Sequence, residues 1–267
     1  MRSMAEGYLI RPEMFTSKMN LLIYGDPGSG KTHLAGTAQD SPQMADVHLF
    51  NIDGGLMTLA QRGDIHATDV HSVDELEREM HRIASGDAKY EGVRTVVIDN
   101  VSELQTLALE GITTRELANR RKKDRTYTVD QVYLEDYGIA GKQLARVLRG
   151  FRDLPVHVIY IAHRKDKMRP NTNVLDESKP NLTDKLCTSV MGYMDYVWYL
   201  YVADEEVMDE EGNAHPEPHR YLLTQPMGGF VAKTRGSKFA EALGPVVRDP
   251  NMAEIMRVYM EAYGLNG

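Results

Sequence analysis

Gly25-Asp26-Pro27-Gly28-Ser29-Gly30-Lys31-Thr32 matches in full the phosphate-binding loop pattern G-x-x-x-x-G-K-[ST]. The apolar run at 19–24 predicts a short buried strand before this loop, and residues 32–38 can begin a helix after it. Glycines let successive backbone N–H groups turn toward an anion, and a helix N-terminus adds its dipole. We therefore predict that residues 25–33, including His33, bind nucleotide phosphates. Lys31 would reach the β- and γ-phosphates, and the Thr32 hydroxyl would bind Mg²⁺. The alternative is a glycine turn followed by a solvated lysine.

Composition limits the classes of protein that fit. The chain has 267 residues, enough for one large or two small domains, and 42% of them are hydrophobic, which favours a globular fold. A formal net charge of −8 argues against whole-surface attraction to nucleic acid, although local basic patches are compatible with it. Cys187 is the single cysteine, so no intramolecular disulfide can form, as expected in a reducing cytoplasm. No apolar run reaches membrane-spanning length, and we expect a cytoplasmic protein without a membrane partner.

Strands and helices alternate through the first two thirds of the chain. Residues 47–55, 93–100 and 156–163 have the apolar, β-branched pattern of buried strands, and Ser72 begins a capping box for a helix to about Ala84. Helical patterns also run to about residue 119 and over about 130–151. Such alternation predicts an α/β fold with a mainly parallel sheet between helices, whose ligand lies at the carboxyl ends of the strands.

The last third has a different pattern. We predict a long polar loop at 164–190, then short antiparallel strands at 195–202, 219–224 and 229–233. The acidic stretch 204–217 would be a solvated loop, and a closing helix would span 251–263. Because no linker separates these parts, we expect a lead-in at 1–18 and one domain at 19–267.

Three polar residues fall at predicted strand ends. Asp99 follows Val96-Val97-Ile98 and would bind Mg²⁺ opposite Thr32, the alternative being an acid that caps the next helix. Asp53 could activate the attacking water or act around the metal, but an acid in an Asp-Gly turn is as good an explanation. His163 could bond the γ-phosphate or cap the following loop.

Further cations are candidates for anion binding. Lys233 and Arg235 project to one side of an extended chain, which suits phosphate oxygens, although solvated strand ends are common. Two basic clusters could follow a nucleic-acid backbone or could simply be solvated. The first comprises Arg115, Arg120, Arg121, Lys122, Lys123 and Arg125, and the second Arg164, Lys165, Lys167 and Arg169. The guanine-reading tetrapeptide Asn-Lys-x-Asp is absent from the sequence, which favours ATP over GTP.

From about Asn20 to about Lys238 the chain resembles a phage-type family of RecA-like P-loop ATPases that includes bacteriophage single-strand annealing proteins. The resemblance rests on the phosphate-binding loop, on 52–55, 96–104 and 161–163, and on 232–235. It implies a RecA-like core, ATP with Mg²⁺, a homo-oligomer (ring or filament) and DNA recombination on single-stranded DNA in a bacterial host's cytoplasm. A single-strand DNA-binding protein is a further candidate partner. The resemblance also gives Lys233 and Arg235 the role of entering the neighbouring subunit's site.

One departure from that family affects catalysis. RecA carries a catalytic glutamate at the position of Gly55, two residues beyond Asp53. Either Asp53 or another acid replaces it, or hydrolysis is slow. A recombination ATPase is therefore our first hypothesis. A nucleotide-dependent oligomeric switch with little hydrolysis is the second, and a small-molecule kinase with 164–190 as its lid is the third.

Overall fold

The computed structural model describes residues 18–60, 62–209 and 213–265, so most of the predicted lead-in at 1–18 lies outside the described residues. Its centre is one mixed sheet. The strands of this sheet are, in chain order, β1 (Asn20–Gly25), β2 (Val47–Asn51), β3 (His66–Asp69), β4 (Thr95–Asp99), β5 (His157–Met168), β6 (Leu175–Pro180), β7 (Tyr196–Met208), β8 (Ala214–Leu223), β9 (Lys233–Thr234) and β10 (Val246–Arg248).

The strand order places β1 in the middle of the sheet. Hydrogen-bonded neighbours run β10-β8-β7-β1-β5-β4-β2-β3, while β6 pairs with β5 and β9 with β7. The six strands from β7 to β3 are parallel, and β6, β8, β9 and β10 are antiparallel additions from the later chain. This confirms the predicted fold class, a mainly parallel sheet flanked by helices and extended by antiparallel strands.

Helices cover both faces of the parallel strands because these strands are apolar on both sides. On β4, Val96 and Ile98 join one buried cluster and Val97 joins the other. The helices are α1 (Lys31–Gly36), α2 (Val73–Ala84), α3 (Val101–Lys123), α4 (Leu134–Asp153), α5 (Asp184–Tyr193), α6 (Ser237–Leu243) and α7 (Met252–Tyr263). The first cluster includes side chains from α2, α3, α4 and α5, and the second includes side chains from α1, α6 and α7.

Capping side chains set the starts of several helices. Ser72 accepts a hydrogen bond from the Glu75 N–H, which confirms the predicted start of α2. Asn251 accepts from Ala253 and Glu254 at the start of α7, and that helix has the predicted extent. No helix within the described ranges is both long and apolar enough to cross a membrane.

Two predicted loops are wrong. Most of 164–190 is regular: β5 continues past His163 to Met168, β6 pairs back along it, and α5 follows. The acidic stretch 204–217 lies largely in the two strands of a β7–β8 ribbon, outside the undescribed 210–212. Both ribbons extend beyond the helices that cover the sheet. Of the described residues at 164–180 and 204–217, only Ser178 and Pro180 are buried, so these strands carry no alternating apolar pattern from which they could be predicted.

The predicted strand at 229–233 is also mostly wrong, because only Lys233 of it lies in β9. Gly228 and Gly229 have φ of 59° and 87°, which make a turn there. The strands β3 and β10 and the helix α6 were not predicted. They are too short to show a hydrophobic periodicity, and they depend on tertiary contacts.

Candidate functional site

The loop between β1 and α1 has the backbone that its sequence predicts. Gly28 and Gly30 have φ of 79° and 95°, a region that other residues adopt only with strain. Among the described residues, no acceptor faces the backbone N–H groups of Gly28, Gly30, Lys31 and Thr32. Ser29 is 3% exposed, and its buried hydroxyl also has no partner there. Unpartnered donors on a tight loop fit a bound phosphate group, which would accept from them.

The Lys31 side chain lies inside this loop. Its ammonium donates to the carbonyl oxygens of Gly25 and Asp26 at 3.1 and 2.7 Å. Burial lowers its pKa, while the charges of Asp99, Asp26 and Asp53 act in the opposite direction. The lysine therefore occupies the place from which it could bind phosphate oxygens, with only carbonyl oxygens as hydrogen-bond acceptors.

Thr32 and Asp99 meet across the carboxyl edge of the sheet. The Thr32 hydroxyl donates to Asp99 at 2.5 Å, although the strands that lead to them are separated by β5. Asp99 is 5% exposed; burial raises its pKa to about 6, and the charge of Asp53 adds to the rise. No cluster of three or more His, Cys, Asp or Glu in the described ranges could hold a metal. A hydroxyl and a carboxylate still fit Mg²⁺, which keeps several waters and takes phosphate oxygens as ligands.

Asn100 joins two of the predicted site residues, and it was not predicted. Its side-chain amide donates to Asp53 Oδ2 at 2.5 Å and contacts His163 Nε2 at 3.1 Å, while its carbonyl oxygen caps α3 through the Glu103 N–H. With Nε2 accepting, the His163 ring carries its proton on Nδ1, a buried atom without a partner in the described chain. A helix cap and a site residue share the same local signal, an Asn before a helix, so sequence alone could not separate the two roles.

Arg164 lies against the phosphate-binding loop, although the sequence placed it in a basic cluster. Its guanidinium donates to Asp26 and to the Tyr199 hydroxyl at 2.8 Å each, and it stacks over the rings of Tyr199 and Phe230. Asp166 on the same strand also binds it and raises its pKa. On the other side of the loop, Arg220 of β8 lies next to Gly30. Neither contact has a local motif, so both required the tertiary structure.

The remaining predicted residues lie outside this group. His33 is exposed on the first turn of α1. Lys233 and Arg235 flank Thr234, which pairs with Tyr196 opposite Leu21, near the amino end of β1. Both cations bind α5 carbonyl oxygens, Lys233 that of Met191 and Arg235 that of Gly192. Four residues of β1, about 13 Å, separate this point from Gly25. The two cations therefore do not reach the loop of their own chain.

The cations of the first basic cluster differ in their partners, and Arg115, which is 57% exposed, lies 3.7 Å from Asp74. Arg120 is 11% exposed and binds the buried Asp136, and Arg121 donates to the Tyr127 carbonyl oxygen. Lys122, Lys123 and Arg125 are exposed and form no ion pair with any described residue. These three cations and the exposed Arg121 are available for an external anion, whereas Arg120 is not.

A family model described as an AAA domain matches residues 17–236, well over half of the 267-residue chain. The match covers the phosphate-binding loop, Asp53, Asp99 and His163, and it ends just beyond Arg235. No curated protein sequence matches the chain.

Proposed function

This chain belongs to the AAA domain family, which indicates a nucleotide-binding P-loop ATPase, and from that premise we propose that it hydrolyses ATP while acting on single-stranded DNA. The observation that carries the nucleotide part is the loop at 25–32, in which four N–H groups have no acceptor among the described residues, next to the Thr32–Asp99 contact. DNA recombination or strand annealing, and a phage origin, are the finer parts of the proposal. They rest on the sequence resemblance and on the position of the basic residues.

The proposed roles follow from the contacts. The loop N–H groups and Lys31 bind the phosphates, and Thr32 with Asp99 would hold Mg²⁺, which neutralises phosphate charge when bound. Asp53 is exposed and lies next to Asp99, so it can take a proton from an attacking water. Asn100 and His163 position Asp53, and His163 can report on the reacting phosphate. Asp53 would thus replace the glutamate that is missing at Gly55.

The exposed residues of the first basic cluster lie on the nucleotide side of the sheet, beyond the carboxyl ends of its parallel strands. Gln143 and Arg146 of α4 bind Asp74 and Glu77 in the first turns of α2, which begins just after the carboxyl end of β3. The turns of α4 before Gln143 therefore extend beyond that edge of the sheet. The tip of the α3–α4 hairpin, with Lys122, Lys123 and Arg125, lies there as well. Cations at this edge would let a bound DNA strand affect turnover.

An alternative function is a nucleotide-dependent oligomeric switch that hydrolyses little ATP. Gly55 favours it, because no glutamate stands at that position.

An ATPase assay with and without single-stranded DNA separates these functions. We expect DNA to raise the turnover of the wild type, and Lys31→Ala to lose Mg-ATP binding because the cation for the β- and γ-phosphates is removed. The variant with Lys122, Lys123 and Arg125 all changed to Gln should bind DNA more weakly. Its salt slope should be shallower by about 0.7 per lost phosphate contact.

A matched control removes the same charge elsewhere. Arg78, Arg149 and Lys238 are exposed residues on α2, α4 and α6, so their triple change to Gln should leave the DNA affinity and the slope near wild type. Equal losses in both triple variants would mean that only net charge matters. An ATPase turnover rate that is the same with and without single-stranded DNA would favour the switch.

A further inference from the structure

Arg220 lies across the last glycine of the phosphate-binding loop. A Cβ atom built on Gly30 would be 2.6 Å from Arg220 Nε, 3.1 Å from Cδ and 3.5 Å from Cζ. Arg220 pairs with Val202 on β7, so its side chain projects to the same face as Leu200 and Leu222. That face carries α1, whereas Arg164 approaches the loop from the opposite face, next to Tyr199. The loop thus lies between two arginines of the same chain.

The backbone of Arg220 is held at this place without help from its side chain. The Asp249 N–H donates to the Arg220 carbonyl oxygen at 2.7 Å, and the Asp249 carboxylate accepts the Arg220 N–H at 3.1 Å. Two strands, β7 and β10, enclose β8. The long side chain therefore starts from a fixed point beside the loop.

The guanidinium of Arg220 differs from its neighbours in its partners. It forms no ion pair or hydrogen bond with the described part of the chain, whereas Arg248 on the adjacent strand binds Glu205 at 2.9 Å. The neighbouring acid Asp249 already accepts from the Arg220 backbone and contacts His219 at 2.9 Å. An arginine has five donors, and a phosphate group accepts them in pairs. This free cation lies next to a loop in which the N–H groups of Gly28, Gly30, Lys31 and Thr32 have no acceptor among the described residues.

We propose that Arg220 binds the diphosphate part of a nucleotide held by its own chain, an inference that rests on the proposed nucleotide binding. The residues for the reacting end, Asp99, Asp53 and His163, come from the β5–β4–β2 side of β1. Arg220 comes from β8, on the other side of β1 and beyond β7. It therefore contacts the phosphates that ADP and ATP share. Such a contact strengthens binding equally before and during the reaction, so it changes affinity without changing saturated turnover.

Equilibrium binding of ADP and of ATP to the full chain tests this role. Arg220→Ala should weaken both affinities by about 10- to 100-fold, the range expected for hydrogen bonds to a charged group. Arg220→Lys should fall between, since lysine keeps the charge but loses the forked donors. Turnover at saturating ATP should stay within about twofold of wild type, as for any uniform binding contact.

Arg248→Ala is the control, because it removes the same charge from the neighbouring strand and should leave both affinities near wild type. Thermal unfolding without nucleotide checks each variant, and Arg220→Gln replaces Arg220→Ala if that variant unfolds. Unchanged affinities in Arg220→Ala would overturn the inference, and so would an equal loss in Arg248→Ala or a loss for ATP alone. If the wild type itself binds neither nucleotide, the proposed function fails instead.

Discussion

At the scale of single residues, the side-chain amide of Asn100 connects two site residues to the start of a helix. Asn100 bonds Asp53 and His163 with its side-chain nitrogen and caps α3 with its oxygen. The carboxylate of Asp53 is thus held between the Asn100 amide and the Gly55 N–H, which donates to its other oxygen at 3.1 Å. This fixes the direction of an otherwise exposed side chain. Gly55 therefore contributes a backbone donor to this carboxylate.

Asp53→Asn tests whether this carboxylate is the base. We expect turnover to fall by about 10²-fold or more, the scale of a positioned general base, because an amide cannot take the proton. ATP affinity should hardly change, since no phosphate contact is removed. Steady-state ATPase rates and an ATP titration measure the two effects. Wild-type turnover in the variant would leave Asp53 with the role of an ordinary turn residue.

At the scale of elements, the α3–α4 hairpin is held together by a cation that the sequence suggested for nucleic acid. Arg120 donates to both carboxylate oxygens of Asp136, at 2.5 and 2.9 Å, and to the Tyr127 hydroxyl. Its guanidinium also stacks on Tyr133. Asp136 is fully buried and accepts the Tyr133 N–H, so it closes the start of α4. The pair therefore fixes the turn at the hairpin tip.

Removing one partner of this pair should lower the free energy of unfolding. Arg120→Ala should cost about 3–5 kcal/mol, because it leaves a buried carboxylate without its cation. Lys122→Ala, an exposed neighbour, should stay within about 0.5 kcal/mol of wild type. Urea unfolding measures both variants. Similar midpoints for Arg120→Ala and Lys122→Ala would show that the pair is not structural.

The same pair gives a dependence on pH. Arg120 holds the pKa of Asp136 below its usual range. A carboxyl whose pKa is lower in the folded chain stabilises the fold above its unfolded pKa, about 3.9, and this stability disappears as the pH falls through the folded pKa. The extra stability of the wild type over Asp136→Asn should therefore be full near neutral pH. It should shrink progressively below about pH 4.

At the scale of the whole molecule, Lys233 and Arg235 lie near the amino ends of the parallel strands, whereas the phosphate-binding loop of the same chain lies at the carboxyl ends. Arg235 binds Asp195 at 2.8 Å, but the two side chains are 54% and 32% exposed. Exposed pairs of this kind contribute about 0–1 kcal/mol, so a neighbouring subunit's phosphate could displace Asp195 at little cost. This geometry is compatible with the proposed action across a subunit boundary.

Mixing variants tests that action. Arg235→Ala should keep ATP binding and lose hydrolysis by about 10³-fold or more, the scale of an inserted arginine. Adding Lys31→Ala should restore some activity, because an intact loop and an intact arginine can then meet at one interface. Asp195→Asn is the control: it removes the ion pair but keeps Arg235, and should keep turnover. No recovery in mixtures whose subunits exchange would contradict the proposal.

The sequence by itself determined the phosphate-binding loop, the parallel core and the acid at the end of β4. Each of these depends on neighbours in the chain, namely glycine spacing, apolar runs on strands buried on both faces, and the residue where such a run stops. Capped helices such as α2 and α7 were predictable for the same reason. The side-chain pattern of a short segment is enough to predict these features, without knowledge of any distant contact.

Only the tertiary structure decided which cations serve which anions. Arg120, Arg164 and Arg220 have no distinguishing local pattern, yet they face Asp136, Asp26 and the loop at Gly30, respectively. The strands of the two ribbons were equally impossible to predict from the sequence, because they are stabilised by pairing outside the core and not by burial of one face. A long charged side chain can contact a partner that is more than a hundred residues away in the sequence, as Arg164 does with Asp26. Its partner is therefore set by strand order and register, which the charge pattern along the chain does not contain.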